Sequence, residues 1–328
     1  MRIAVLGAGA WGTALAMTYA AAQHAVSLWS HDPQHVAQMR QDGENKRYLP
    51  GLAFPPALSL HETLPAALQA CELIIIATPV AGLRSTLQQL RTLSPETPLL
   101  WLCKGFEAGS GRLPHEVVIE ELGARSACGA LTGPSFAQEV ARGLPCAMTL
   151  ASNDARFAEQ FAKHLHHPRL RLYANDDVVG AEVGGAVKNV LAIAAGISDG
   201  LGYGLNARAA MMTRGLSEIA RLAHALGGRR ETLMGLSGMG DLILTCTGDL
   251  SRNRRVGLAL AEGRLLPEIL RDLGHVAEGV LTTEVVAQRA AQLGVEMPIT
   301  AAVLNVLGNR LSPRAAVEQL LARDPRTE

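Results

Sequence analysis

One lysine stands in an apolar setting where an amine could do chemistry. Lys188 lies in the segment GGAVKNVL that begins at Gly184, and no other charged residue occurs between Glu182 and Asp199. Placing an ammonium group among apolar residues is costly, so this side chain either extends to solvent or is held in a cleft for a purpose. An amine that is held in a cleft can act as a general acid and base. The residues alone leave both interpretations open.

A single acid further along the chain could work with such a lysine. Asp241 lies in GMGDLILTCT, from Gly238 to Thr247, and uncharged residues follow it. Its carboxylate could orient a lysine or pair with it. The alternative is an N-cap, because an acid after a glycine-rich turn often begins a helix.

A basic segment, SRNRR from Ser251 to Arg255, has the composition of an anion site. Ser251 could cap a helix whose first turn carries Arg252 and Asn253. Free N–H groups at a helix N-terminus bind phosphate well when a guanidinium lies beside them. The alternative is a solvated helix face that carries three arginines.

Near the N-terminus, GAGAWG spans Gly7 to Gly12 between an apolar run and a helical stretch. In a dinucleotide site Gly7 would make the tight turn, Gly9 would let the backbone approach a pyrophosphate, and Gly12 would let the helix pack closely on the strand. A GxGxxG segment also occurs in turns that bind no ligand. The strand, turn and helix around this segment favour dinucleotide binding.

The residues after the second apolar run bear on the choice between NAD and NADP. NAD-specific sites usually carry an acid at this strand end, where it bonds the ribose hydroxyls. Here Ser30 holds that position, and His31 could lie beside a 2′-phosphate. The sequence therefore accommodates NADP and favours NADPH over NADH. Asp32 precedes Pro33 and is expected to cap a helix instead.

Ligands of an open parallel sheet lie beyond the carboxyl ends of its strands, so the residues after each apolar run are candidates. Lys104 follows the apolar run LLWLC directly, where a cationic group would face cofactor and substrate. A solvated lysine at a strand end is the alternative. Ser135 offers a hydroxyl after Gly133 and Pro134, although a serine there is also an ordinary helix N-cap.

The secondary-structure elements that must position these groups follow two sequence patterns, one in each part of the chain. Short β-rich runs first alternate with helical stretches, which predicts an α/β, Rossmann-type and mostly parallel sheet over residues 1–180. Helical patterns alone follow, which predicts an all-helical domain over residues 181–328. The predicted strands are Arg2–Leu6, Ala25–Trp29, Leu73–Ala77, Leu99–Cys103, Ala127–Thr132, Ala147–Ala151 and Leu170–Tyr173. The predicted helices are Thr13–Ala22, Pro33–Arg40, Val178–Ala195, Ala207–Leu226, Arg254–Ala261, Leu266–Leu273, Thr282–Leu293, Ile299–Leu307 and Arg314–Leu321.

Length and composition exclude several classes of function. The 328 residues fit two domains, and 30 basic against 30 acidic residues create no overall field for nucleic acid or an anionic membrane. The five cysteines show no metal-ligand spacing, so we expect no metal site and a reduced, cytoplasmic chain. No stretch offers the ~20 consecutive apolar residues of a membrane helix, so we expect no membrane insertion.

Six segments of the chain form an ordered set of motifs. They are GAGAWGTALA (7–16), CKGFE (103–107), GPSFAQE (133–139), GGAVKNVLAIAAGISDG (184–200), GMGDLILTCTG (238–248) and SRNRRVG (251–257). Six motifs in one order are far more specific than any one of them. With them the chain resembles bacterial NAD(P)-dependent glycerol-3-phosphate dehydrogenases over nearly its whole length.

This resemblance implies a reaction and a set of roles. NAD(P)H would reduce dihydroxyacetone phosphate to sn-glycerol 3-phosphate, the precursor of glycerophospholipid head groups. Lys188 looks like the general acid and base at the C2 oxygen, Lys104 would help to polarise that carbonyl, and Asp241 would hold the lysine or a substrate hydroxyl. A cytoplasmic homodimer acting on a small molecule is implied as well. The positions that match substrate contacts are Lys104, Gly133, Ser135, Lys188, Asp241, Ser251, Arg252 and Asn253.

The resemblance also implies a set of cofactor contacts, some of which the residues alone do not indicate. Glu278, for example, would otherwise be interpreted as a surface acid. The positions that match cofactor contacts are Gly7, Gly9, Ala10, Trp11, Gly12, His31, Lys104, Ala137, Arg252, Val276 and Glu278.

Two functions of other classes are the alternatives. A β-hydroxyacid or ketopantoate-type reductase would share the glycine loop and a lysine in the helical domain, but it would recognise a carboxylate and lack the anion site that begins at Ser251. A non-catalytic sensor of NADH would not need Lys104, Lys188 and Asp241 together.

Overall fold

The structure is a computed structural model that describes residues 1–94, 96–124, 127–273 and 277–323. The chain forms two compact units, one of Met1–Lys104 with Arg112–Val178 and the other of Gly105–Gly111 with Val179–Glu328. Nothing in the sequence indicated that Gly105–Gly111 belongs with the second unit. The first unit contains the sheet, and the second is helical.

In the part of the chain that the structure describes, eight strands of the first unit form one sheet, in the order β10-β9-β8-β7-β6-β1-β2-β5. Neighbouring strands are parallel except β8 and β9, which confirms the predicted mostly parallel sheet. A separate antiparallel hairpin, β3 with β4, was not predicted, and neither was β5. The strands are β1 (Arg2–Leu6), β2 (Ala25–Trp29), β3 (Glu44–Asn45), β4 (Leu49–Ala53), β5 (Leu58–His61), β6 (Leu73–Ile76), β7 (Leu99–Trp101), β8 (Cys128–Thr132), β9 (Cys146–Ala151) and β10 (Leu170–Asn175).

Helices cover this sheet because its central strands are apolar on both faces. Every residue of β6 is buried, as expected for a parallel strand with helices on either side. The prediction for Asp32 is confirmed, since its Oδ1 accepts from the backbone N–H groups of Gln34 and His35 at the start of α2. The helices of the first unit are α1 (Ala10–Ala21), α2 (Pro33–Asp42), α3 (Leu64–Ala67), α4 (Val80–Leu93), α5 (Pro114–Leu122), α6 (Ala137–Ala141) and α7 (Ala155–His164).

The second unit is helical, as predicted, and has its own apolar core. Val190, Ile193 and Ile197 of α8 belong to a buried apolar cluster that also includes Val256 and Val303. A five-residue π-helix, Leu236–Gly240, leads directly into α11. The helices are α8 (Val178–Gly200), α9 (Gly204–Ala225), α10 (Arg230–Leu233), α11 (Asp241–Thr247), α12 (Arg252–Ala261), α13 (Leu266–Leu273), α14 (Glu278–Gln292), α15 (Pro298–Leu307) and α16 (Pro313–Leu321).

Helix α8 is the central helix of this unit. Among the described residues it alone is long and apolar enough to cross a membrane, but 89% of its apolar window is buried inside the protein. Its close neighbour is α12: a Cβ on Gly196 would lie 2.0 Å from the carbonyl oxygen of Arg254, and one on Gly257 would lie 2.1 Å from that of Ile193. Glycine at both positions therefore lets the two backbones touch.

Candidate functional site

Lys188 is buried in the helical unit and is held by two side chains of α11. Its Nζ donates to the carboxylate of Asp241 and, at 3.0 Å, to Oγ1 of Thr245. The side chain of Lys188 is 9% exposed and that of Asp241 is 1% exposed. Of the two interpretations left open by the sequence, the structure therefore supports the held lysine.

The backbone around this cluster explains how α11 reaches α8. A Cβ on Gly184 of α8 would lie 2.5 Å from the carbonyl oxygen of Ser237, and one on Gly238 would lie 2.2 Å from that of Leu233. These glycines let the π-helix pack directly against its neighbours, one turn before Lys188. π-Turns inside helices often occur at functional sites.

Asp241 does not cap α11, because Gly240 occupies the N-cap position and Asp241 is the first helical residue. Its carboxylate is thus available to pair with Lys188. Thr245 follows one turn later on the same face, and its hydroxyl donates to the backbone carbonyl of Asp241 at 2.6 Å. The sequence did not indicate a role for Thr245. The i, i+4 spacing from Asp241 is the signal that could have identified it.

The N-terminus of α12 has the serine cap that the sequence predicted. Ser251 caps the helix, since its Oγ accepts from the N–H of Arg254 at 3.3 Å. Arg252 is exposed in the first turn. Arg254 is not part of a solvated face, because its Nη2 and Nε lie 2.8 and 3.0 Å from Oδ2 of Asp199 on α8. This contact fixes the N-terminal end of α12 to the helix that carries Lys188.

The third helix that meets α8 and α12 is α14. Asn253 is 8% exposed, and its Oδ1 accepts from the N–H of Gly279 at 3.0 Å. A Cβ on Gly279 would lie 2.6 Å from the carbonyl oxygen of Asn189, so only glycine allows this approach. Glu278, a predicted cofactor contact, begins α14 and is half-buried. Val276 lies outside the described residues.

In the sheet unit, the glycine loop has the geometry of a dinucleotide cradle. Gly7 has φ +122°, and a Cβ there would lie 2.8 Å from the carbonyl carbon of Ala77. A Cβ on Gly12 would lie 2.0 Å from the oxygen of Gly7, whereas one on Gly9 would meet nothing within 4 Å among the described atoms. Crowding at Gly7 and Gly12 and open space at Gly9 fit a loop whose outer face receives a pyrophosphate.

Helix α1 presents its N-terminus at this loop. Within the described residues no side chain caps it, and its first turn contains no acid, so its free N–H groups can donate hydrogen bonds to an anion. Ala10 and Trp11 are its first two residues. The indole Nε1 of Trp11 is buried and has no hydrogen-bond partner among the residues that the structure describes. The residues of the loop therefore fit a bound dinucleotide.

Two adjacent strand ends in the same unit bring together Lys104, Gly133 and Ser135. Strands β7 and β8 are neighbours, and Lys104 and Gly133 follow them. Nζ of Lys104 donates to the carbonyl oxygen of Gly133 at 3.2 Å, and the hydroxyl of Ser135 donates to the same oxygen at 3.0 Å. Ser135 is not an N-cap, because Phe136 precedes α6 and Ala137 begins it. All of these residues are at least partly buried.

The end of β2 carries no acid, as the sequence indicated. Ser30 is 4% exposed, and its Oγ accepts from the N–H of Asp32 at 3.3 Å. His31 is exposed at the turn that follows the strand. The residue that directly follows β2 therefore adds no negative charge beside His31.

The structure argues against thiol chemistry near Lys188. Cys246 follows Thr245 on α11 and is fully buried, and this burial raises the pKa of its thiol to about 12. A thiol with so high a pKa is a poor nucleophile at neutral pH. Among the described residues, no group of three or more His, Cys, Asp or Glu side chains could hold a metal ion.

Two family profiles cover nearly all of the sequence. Residues 2–158 match the family described as NAD-dependent glycerol-3-phosphate dehydrogenase N-terminus, and residues 177–318 match the corresponding C-terminus. The glycerol-3-phosphate dehydrogenase (NAD(P)+) of Aromatoleum aromaticum is 63% identical over 329 residues, with 100% of both chains covered. That of Dechloromonas aromatica is 60% identical, with 100% of this chain and 99% of the relative covered.

A solved structure gives the same result at the level of the fold. The crystal structure of glycerol-3-phosphate dehydrogenase from Coxiella burnetii superposes with a TM-score of 0.94 at 46% sequence identity. The match covers 98% of this chain and 99% of the other.

Proposed function

Because the chain belongs to the NAD-dependent glycerol-3-phosphate dehydrogenase family, we propose that Lys188 is the general acid and base of its reaction. The enzyme interconverts dihydroxyacetone phosphate and sn-glycerol 3-phosphate with NAD(P)H or NAD(P)+, and so supplies glycerophospholipid synthesis. The observation that carries the proposal is the buried contact of Lys188 with Asp241 and Thr245.

In this proposal Lys188 handles the proton at the C2 oxygen of the substrate. The bound nicotinamide supplies or accepts the hydride at C2. In the reducing direction the ammonium group of Lys188 donates a proton to the C2 oxygen, and in the oxidising direction the neutral amine accepts it. Asp241 and Thr245 hold the amine in one orientation, and the carboxylate of Asp241 balances its charge while it is protonated. Because these three side chains are already held in place, they need little reorganisation when charge develops during the reaction.

Lys104 has a second role at the same carbonyl. Its ammonium group is oriented by the carbonyl oxygen of Gly133. The resemblance to the family implies that it would stabilise the negative charge that develops on the C2 oxygen as hydride arrives. Lys104 also matches a cofactor contact of the family.

The phosphate of the substrate is assigned to the N-terminus of α12. Ser251, Arg252 and Asn253 offer backbone N–H groups, a guanidinium and an amide there, and such donors bind phosphate strongly. Gly133 and Ser135 are the remaining proposed substrate contacts. Because a phosphate can accept from all of these donors, whereas the single neutral hydroxyl of an unphosphorylated substrate leaves most of them unsatisfied, this site would discriminate against unphosphorylated substrates.

The dinucleotide is assigned to the glycine loop and the N-terminus of α1. The pyrophosphate would be bound by backbone N–H groups over Gly9, where a side chain is absent. NADPH is the preferred reduced cofactor in this proposal because Ser30 and His31, rather than an acid, follow β2. The proposed cofactor contacts are Gly7, Gly9, Ala10, Trp11, Gly12, His31, Lys104, Ala137, Arg252, Val276 and Glu278.

The proposed setting is a cytoplasmic homodimer. Large apolar side chains exposed on the helical unit are consistent with self-association, among them Leu205 at 71%, Leu281 at 65% and Met234 at 62% exposed. Light scattering during size-exclusion chromatography would give the mass of the particle directly, and a mass near 34.7 kDa would contradict the dimer.

The experiment that tests the proposed function is a set of four initial rates. Oxidation of NADPH or NADH is followed by absorbance with dihydroxyacetone phosphate or with unphosphorylated dihydroxyacetone. Fast oxidation confined to the phosphorylated substrate is expected. Turnover of a 2-oxoacid instead, with none of dihydroxyacetone phosphate, would support the ketopantoate-type reductase. Binding of NADPH without turnover of any carbonyl substrate would support the sensor.

A further inference from the structure

A short unpredicted segment lies beneath the glycine loop. Asn45 of β3 is fully buried, and its Nδ2 donates to the carbonyl oxygen of Ala8 at 2.9 Å and to Oγ1 of Thr13 at 2.8 Å. Ala8 belongs to the glycine loop, and Thr13 lies in the first turns of α1. The hairpin is therefore anchored to the element that receives the pyrophosphate.

Two residues later the same segment contacts the other element that recognises a dinucleotide. Nη1 of Arg47 lies 3.5 Å from Oδ2 of Asp32, in the turn after β2. Asp32 uses its other oxygen, Oδ1, to cap α2. The guanidinium carbon of Arg47 also lies 5.1 Å from the centre of the Tyr48 ring, which limits where the cation can go.

The turn after β2 is where a Rossmann-type domain distinguishes the two cofactors. An acid at this strand end bonds the 2′-hydroxyl of NAD, whereas a nearby arginine accommodates the 2′-phosphate of NADP. Here Ser30 is buried and bonded to the N–H of Asp32, and the carboxylate of Asp32 is occupied by the helix cap and by Arg47. Among the described residues, no carboxylate at this strand end is left to accept a hydrogen bond from a free 2′-hydroxyl. The side chains next to the carboxylate of Asp32 are those of His31, its neighbour in the chain, and Arg47, which contacts it.

We propose that Arg47 is a specificity-determining residue that binds the 2′-phosphate of NADPH. The inference rests on the proposed use of the glycine loop for a dinucleotide and extends it to a residue that the sequence analysis did not single out. The contact between Arg47 and Asp32 is weak, because the two side chains are 59% and 36% exposed. The guanidinium can therefore turn from the carboxylate to a phosphate at little cost and bind it through two N–H groups.

Binding constants of the two reduced cofactors test this role without relying on turnover. In Arg47→Gln, the Kd for NADPH, measured by the fluorescence of the reduced nicotinamide, is expected to rise about tenfold or more. The Kd for NADH should stay within about twofold, because NADH lacks the 2′-phosphate. The variant should also lose affinity for the fragment 2′,5′-ADP by a similar factor. Its affinity for ADP, which lacks the 2′-phosphate, should not change. An equal loss of affinity for both cofactors, or an unchanged Kd for NADPH, would overturn the proposal.

Arg40→Gln is the matched control for charge. Arg40 is exposed on α2 of the same unit, bonds Glu62 and the carbonyl oxygen of Leu60, and contributes the same charge. Its variant should bind both cofactors within about twofold of the wild type. A loss of NADPH affinity as large as that of Arg47→Gln would mean that net charge, and not a local contact, sets the preference, and this too would overturn the proposal. Wild-type turnover of dihydroxyacetone phosphate with NADH tests the proposed function separately.

Discussion

Lys188 and Asp241 lie 53 residues apart in the chain and form a buried ion pair between α8 and α11. Neither side chain is more than a tenth exposed, so either charge would be buried at a high cost in free energy if the other were absent. Thr245 fixes the same ammonium group from the next turn of α11. The pair therefore has two consequences that can be measured separately, one for catalysis and one for stability.

The catalytic consequence is tested with Lys188→Ala. Loss of the proton donor and acceptor should lower kcat by a factor of about 10²–10⁴, while the Kd for NADPH changes little. Steady-state rates with dihydroxyacetone phosphate and cofactor binding by fluorescence check the two halves of this expectation. Lys163→Ala, on the exposed side of α7, is the control and should leave both unchanged. Unchanged turnover in Lys188→Ala would remove Lys188 from its assigned role.

The consequence for stability is tested with Asp241→Ala. Removing one partner of a buried pair leaves the other charge uncompensated, so the free energy of unfolding should fall by about 3–5 kcal/mol. Asp249→Ala is the comparison, because the side chain of Asp249 is 97% exposed although it contacts Arg254. Its effect should stay within about 0.5 kcal/mol. Urea denaturation of the wild type and the two variants gives the free energies of unfolding. A similar loss of stability in both variants would contradict the argument from burial.

The glycine loop allows a test that separates ligand binding from folding. Gly12→Ala places a Cβ 2.0 Å from the oxygen of Gly7, so it should lower both the melting temperature and the affinity for NADPH. Gly9 has φ −73° and ψ 179°, which alanine adopts readily, and no described atom lies within 4 Å of the added Cβ. Gly9→Ala should thus fold with an unchanged melting temperature yet bind NADPH about tenfold or more weakly, because the methyl group obstructs the pyrophosphate. Normal NADPH affinity in Gly9→Ala would place the pyrophosphate elsewhere.

A buried carboxylate in the helical unit predicts a dependence of stability on pH. Glu218 of α9 accepts from the N–H groups of Ile299 and Thr300 at 2.6 and 3.2 Å, at the start of α15. Burial raises the pKa of Glu218 above its ordinary value of 4.5. Between that value and the raised pKa the folded state binds more protons than the unfolded state, so the contribution of Glu218 to stability falls as pH rises.

The variant Glu218→Gln isolates this effect, because it cannot titrate. The free energy of unfolding of the wild type minus that of the variant should decrease as pH rises from about 4.5. Other titrating groups cancel in the difference. Denaturation of both proteins at a series of pH values measures it, and a difference that is independent of pH, or one that grows with pH, would contradict the prediction.

The sequence predicted the parts of this molecule whose signals are local. The order of strands and helices follows from periodicity, and the starts of α2 and α12 follow from Asp32 and Ser251, because a cap bonds residues two or three positions away. The glycine loop was identified for the same reason: its three glycines and the strand and helix around it are contiguous. Lys188 and Asp241 were recognised as unusual charges in apolar segments, although the sequence left open whether either was exposed.

Other features depend on contacts between residues that are distant in the chain, and only the tertiary structure decided them. The hairpin of β3 and β4 is too short to show a period, so its support of Ala8 through Asn45 and the placement of Arg47 beside Asp32 were not predicted. Thr245 became part of the site because α11 packs on α8, which depends on backbone contacts at Gly184 and Gly238. Composition and spacing determine which groups could act, but the close packing of backbones determines which of them meet.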